Sequence, residues 1–131
     1  MTANPIAKKL GMKPGMQALI VAAPTGYLEL LSPLPEGLAV SSTPHGLHSF
    51  VQIFATALSG IDKAAAVLSK HAAPKAVVWI AYPKQTSGMT SDLNRDRIRE
   101  RMSEMGWRTV SIVAIDKIWS ALRFLPDEDI Q

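Results

Sequence analysis

Three nearly unbroken apolar stretches, Met16–Ala23, Ser49–Ala55 and Ala76–Tyr82, constrain this chain more than any other feature. A strand with one wet face alternates apolar and polar residues. These stretches do not alternate, so they read as strands covered on both faces. Each is about seven residues long, a strand's length and far short of the roughly 20 residues of a membrane helix. Such strands need helices above and below them, and parallel neighbours joined by crossovers.

The intervening segments supply those helices. Asn4 suits an N-cap and Pro5 a first helical position, so Asn4–Leu10 starts a short helix that Gly11, Pro14 and Gly15 stop. Pro24, Thr25 and Gly26 end the first strand, and Tyr27–Leu31 follows as a short helix. Ser32 to Gly46 carries Pro33, Pro35, Gly37 and Pro44 and reads as loop, with one short strand at Leu38–Ser41. Ile61, Ala64, Ala65, Leu68 and Ala72 recur at helical spacing, giving a helix over Gly60–Ala72 with Ser59 as its cap and Asp62 in its first turn. Pro74 prevents its continuation. Thr90 or Ser91 caps a further helix, Asp92–Met105, with Leu93, Ile98, Met102 and Met105 on its buried stripe.

Thr109–Ile115 and Trp119–Leu125 are β-rich runs separated only by Asp116, Lys117 and Ile118. So short a connection permits only an antiparallel hairpin. The expected fold is therefore α/β: one domain over residues 1–131, frayed at 1–3 and 127–131. It is a Rossmann-like three-layer sandwich with a mostly parallel sheet and a C-terminal antiparallel hairpin. The first three strands are expected to be parallel neighbours. This element order resembles the second half of a Rossmann-type methyltransferase, a likeness of fold that carries no function.

Several blocks also resemble a family of small bacterial proteins known only as a domain of unknown function. They are Lys8-Lys9-Leu10-Gly11-Met12-Lys13-Pro14-Gly15, Trp79-Ile80-Ala81-Tyr82-Pro83-Lys84, Ser91-Asp92-Leu93, and Val113-Ala114-Ile115-Asp116-Lys117-Ile118-Trp119-Ser120-Ala121-Leu122-Arg123-Phe124. Trp79, Pro83, Lys84, Asp92, Asp116, Trp119 and Ser120 are the family's mark. The resemblance runs over nearly the whole chain and implies a small bacterial cytoplasmic α/β protein, with no activity attached.

Composition excludes several classes. The chain has no cysteine, so it holds no disulfide, thiolate nucleophile or thiolate metal site. That suits a reducing cytoplasm, the expected location. The net charge of +3 is mild. The arginines at 95, 97, 99 and 101 do not share one helical face and interleave with Asp96, Glu100 and Glu104. They suit pairs such as Asp96–Arg99 and Arg97–Glu100 on a solvated face, without interspersed aromatics for base stacking. Neither a nucleic-acid nor a membrane partner is expected.

No G-x-G-x-x-G and no G-x-x-x-x-G-K-[ST] occurs, and the turn Ala23-Pro24-Thr25-Gly26-Tyr27 stands where such a loop would sit. A methyltransferase would need glycines there, so no cofactor is expected. His45 and His48 read as turn or surface residues with no clustered carboxylate, so no metal is expected either. Ser120, beside Trp119 in a strand pattern, reads as a structural hydroxyl. No catalytic set is assigned.

The most suggestive stretch is the one after the third strand. Ligands of parallel α/β sheets bind beyond the carboxyl ends of the strands. Lys84 lies just past such an end, Ser87, Thr90 and Ser91 add hydroxyls, and Arg95 sits about one turn into the helix that follows. These five residues form the candidate site for a small anionic ligand. Capping by Thr90 or Ser91, with Asp92 satisfying the helix dipole, accounts for some of them without a ligand. The function expected is a small non-catalytic binding or interaction module, leaning against an enzyme, with a homodimer through the hairpin edge. The second reading is a small enzyme acting on an anionic substrate at the 84–95 loop, on a degenerate methyltransferase-like fold without the glycine-rich loop. A titratable partner of Lys84 in a cleft (Asp92, Asp116 or a histidine) would favour the enzyme.

Overall fold

A computed structural model describes residues 4–85, 88 and 91–127. Its strands are β1 (Gln17–Val21), β2 (Ala39–Ser41), β3 (His48–Phe54), β4 (Ala72–Pro83), β5 (Trp107–Ala114) and β6 (Trp119–Pro126). Its helices are α1 (Pro5–Leu10), α2 (Tyr27–Leu31), α3 (Leu58–His71) and α4 (Arg95–Glu104). The strands make one sheet in the order β2-β1-β3-β4-β6-β5. β2, β1, β3 and β4 are mutually parallel, and β6 is antiparallel to both β4 and β5. The α/β sandwich with a mostly parallel sheet and a terminal hairpin is present as read, and β1, β3 and β4 are parallel neighbours.

Each face of the sheet carries its own core. On one side Ile61, Leu68, Ile98 and Met102 of α3 and α4 pack on Leu19, Val51, Ile53, Val78, Ile80 and Leu122. On the other, Leu10 of α1 and Tyr27 and Leu31 of α2 pack on Ile20, Phe50, Phe54, Trp79 and Trp119. Asn4 builds this second layer twice over. Its Oδ1 accepts from the N–H groups of Ile6 and Ala7, and its Nδ2 donates to the carbonyls of Leu30 and Ser32. The Trp79 indole donates across the layers to the Leu10 carbonyl at 2.7 Å.

The helix starts differ from the expectation. The cap of α3 is Ala57, not Ser59, and Ala57 makes no side-chain bond. The Leu58 N–H is met instead by Asp92 Oδ1 at 3.1 Å, a carboxylate 34 residues away. α4 begins at Arg95, not at Asp92, because Asn94 is its cap and accepts from the Arg97 N–H. Pro74 does not merely stop a helix. β4 is already under way at Ala72 and passes through a left-handed Lys75 with φ 61°, where its register on β3 shifts. An i,i+3 ion pair forms within α4 between Arg101 and Glu104 at 3.6 Å, a different pair from those named, and Arg101 also makes a two-bond contact to Asp62 of α3, at 2.8 and 2.9 Å. No helix among the described residues is long and apolar enough to cross a membrane.

Candidate functional site

β4 delivers three residues to the carboxyl edge of the sheet. Tyr82 is buried there and stands opposite Ser120 of β6. Pro83 ends the strand, and the Lys84 N–H donates to the Ile118 carbonyl at 2.7 Å, which fixes where the lysine leaves the sheet. The Asn94 cap then sets the start of α4 above the same edge. Tyr82, Lys84, Asn94, Arg95, Asp96 and Ser120 line one cleft of about 370 Å³.

Its electrostatics follow from burial. Desolvation pushes the Tyr82 hydroxyl above its ordinary value, Asp96 adds to the rise, and Arg95 and Ser120 pull part of it back. At neutral pH the hydroxyl is therefore protonated and can donate. Lys84 is half-buried and Arg95 exposed. The Arg95 Nε stands 3.9 Å from Asp96 Oδ1, an exposed pairing too long to occupy either group. Two cations and a hydroxyl donor in a cleft can hold a carboxylate or a phosphate.

Of the five residues singled out by sequence, Lys84 and Arg95 share this cleft. Arg95 is the first residue of α4 rather than one turn inside it. Ser91 lies in an adjoining hollow of about 310 Å³ that Lys84 also borders. Its hydroxyl donates to the Thr56 carbonyl at 2.7 Å and accepts from the Leu93 N–H at 3.1 Å, so it ties the loop to the end of β3. Ser87 and Thr90 lie outside the described residues. Asp92, expected to face the dipole of α4, caps α3. Asp116 accepts from the Ile118 and Trp119 N–H groups and shapes the hairpin turn. The titratable groups that share the cleft with Lys84 and Arg95 are Tyr82 and Asp96, and of these Tyr82 is the buried one. Sequence reasoning missed it because its apolar strand made it look like core, and it was the Tyr82–Ser120 register that brought two hydroxyl residues together.

The histidines gather at the opposite edge. His48 is buried, against the expectation of a turn or surface residue, and its Nε2 accepts from the His45 N–H. His71 stands with its ring centroid 6.5 Å from that of His48 and its Nδ1 2.7 Å from the Gly46 carbonyl. Burial, and then the neighbouring histidines, lower the pKa of His48.

A second crevice, about 280 Å³, opens on the α3 side between the carboxyl ends of β1 and β3, where the chain order of the sheet reverses. Val21, Ala22, Phe54, Thr56, Ser59 and Lys63 are among its walls. Ala22 is left-handed at φ 60°, Pro24 has no N–H, and α2 spans only five residues, with the Tyr27 N–H taken up by the Pro24 carbonyl.

No family model and no curated protein sequence matches the chain. Solved structures do. A SAM-dependent methyltransferase from Aquifex aeolicus matches with a TM-score of 0.64 at 17% identity, over 91% of this chain and 86% of that one. The complex of DhpI with SAM and HEP matches at 0.63 and 13%, over 93% and 85%. Precorrin-6y C5,15-methyltransferase from Geobacter metallireducens matches at 0.60 and 7%, over 92% and 84%. The fold is that of the SAM-dependent methyltransferases. This finding corrects the expectation of a non-catalytic module and the leaning against an enzyme: methyltransferases are named among the structures that share the fold, and the second reading accounts for them better. The group they imply is S-adenosylmethionine, and the residues of the β1–β3 crevice do not suit it, for want of a glycine-rich loop after β1 and of any lining carboxylate.

Proposed function

We propose that the chain is an enzyme of methyltransferase-type fold that acts on a small anionic substrate, bearing a carboxylate or a phosphate, in the β4–α4 cleft. One observation carries the reading: Lys84, Arg95 and a protonated, desolvated Tyr82 hydroxyl converge at the carboxyl end of a parallel strand, where sheets of this class bind ligands. Lys84 and Arg95 hold the anion. The Tyr82 hydroxyl donates a hydrogen bond to it, and Ser120 orients that hydroxyl. Asp96 adds a negative charge beside Arg95, which limits how much anionic charge the cleft takes. No step runs through S-adenosylmethionine. A cytoplasmic location and membership of the small bacterial family belong to the same proposal, as does a homodimer along β5, the outer strand of the hairpin.

The test is a thermal-shift screen of phosphates, nucleotides and carboxylates on the wild type, Lys84→Ala, Arg95→Ala and Tyr82→Phe. A cleft this open binds at micromolar to millimolar levels, about 4–8 kcal/mol. An anion that raises the Tm of the wild type and not of Lys84→Ala supports the site. An equal shift in both, or none with any anion, rejects it. A mass of one chain at both low and high concentration rejects the homodimer.

A further inference from the structure

We infer that this chain has the fold of the SAM-dependent methyltransferases without their cofactor site, so that it does not bind S-adenosylmethionine. The inference deepens the reading above, since it says what that enzyme works without. It stands on three demands the cofactor makes and the crevice fails to meet.

The first is a close approach of backbone to ligand after β1, which glycines permit and side chains obstruct. Here the chain reads Ala22-Ala23-Pro24-Thr25-Gly26. Ala22 takes the left-handed conformation a glycine would take, but it carries a Cβ there. Pro24 removes one donor. The helix that should offer free N–H groups is a single turn, and its first N–H is already used.

The second demand comes from the ribose, whose vicinal hydroxyls need an acceptor, commonly a carboxylate about 20 residues beyond the loop. About 20 residues on from Val21 stand Ser41, Ser42 and Thr43, and the whole stretch from Gly37 to Ile61 contains no Asp or Glu. The acids between β1 and β3 are Glu29 and Glu36. Glu29 is exposed on α2. The Glu36 carbonyl accepts from the Gly15 N–H, just before β1, which places that residue at the amino edge, away from the crevice.

The third demand is electrostatic. The sulfonium centre is a fixed cation, and the charged residue lining the crevice is Lys63, of the same sign. The crevice offers the ribose hydroxyls no carboxylate and the sulfonium no counter-charge.

Isothermal titration of the folded full-length chain with S-adenosylmethionine and with S-adenosylhomocysteine tests this, with inorganic phosphate run in parallel. No saturable heat from either nucleoside up to about 1 mM is the expected result. A 1:1 isotherm with a Kd below about 1 mM for either one overturns the inference. Phosphate reports on the β4–α4 cleft alone: its binding, lost in Lys84→Ala, supports the anion site on which the proposed function rests, whichever way the nucleosides behave. The two can therefore fail separately.

Discussion

Gln52 sits in the middle of β3 with its side chain wholly buried on the α1–α2 side of the sheet. Its Oε1 accepts from the Tyr27 hydroxyl at 2.8 Å, and its Nε2 has no partner among the described residues. Burial pushes the Tyr27 hydroxyl far above its ordinary value, so it stays a donor across the working pH range. Removing that donor strands the amide completely. Tyr27→Phe should therefore cost about 1–3 kcal/mol, read as a lower urea midpoint at unchanged m. Adding Gln52→Met should return part of the loss, because an apolar pair leaves nothing unsatisfied. His48 makes a second residue-scale case. Its folded pKa is lowered by burial and then by His71 and His45. The unfolded chain takes up its proton through about pH 6.5, while the folded chain takes it only lower. The contribution to stability is thus present above pH 6.5 and lost as pH falls towards the folded pKa. Urea midpoints at pH 7.5 and 5.5 should fall more in the wild type than in His48→Gln. An equal fall in both would remove His48 as the cause.

Helix starts show where reading by local chemistry runs out. Asn4 was legible because its bonding partners are two and three residues on. α3 was not, because Asp92 caps it from a distance; α4 was placed too early although its Asn94 cap is local, because Ser91 and Asp92 offered an equally plausible start while in fact they serve the end of β3 and α3. Only a folded chain brings residues 58 and 92 together, so a plausible local cap at Ser59 could not be told from the real one. The same reasoning applies to the site. Lys84 was visible as the residue after an apolar strand, whereas Tyr82 and Ser120 met through a register no spacing encodes. Two substitutions separate caps from surface pairs. Asn94→Ala removes the side-chain cap of α4 and should cost about 1 kcal/mol. Arg101→Ala removes a two-bond contact to Asp62, but both side chains are nearly half exposed, so its loss should stay within about 1 kcal/mol and shrink with added salt. Chemical denaturation at low and high salt distinguishes the two.

At the scale of the molecule, the sheet was legible because burial on both faces leaves a compositional trace, and the trace named β1, β3 and β4 as its centre. The unequal thickness of its covers left none. α3 and α4 together give 24 residues of helix to one face, and α1 and α2 give 11 to the other. The thinner layer is held by few ties: the two bonds from Asn4 to the end of α2, the Trp79–Leu10 bond, the Tyr27–Gln52 bond, and the burial of Leu10, Tyr27 and Leu31. Local opening is governed by how much apolar area and how many backbone bonds an element gives up. α1 and α2 should therefore open without the sheet, while α3 opens only with it. Native-state hydrogen exchange should show protection rising from α1 and α2, through α4, to α3 and the central strands β3 and β4. Leu10→Ala should speed exchange in α1 and α2 and at the Trp79 indole by about tenfold or more, since a buried leucine lost to alanine is worth about 2–5 kcal/mol and tenfold is about 1.4. Exchange in β3 and β4 should move much less. Uniform acceleration across the chain would mean that the two layers open together and that the thin one has no stability of its own.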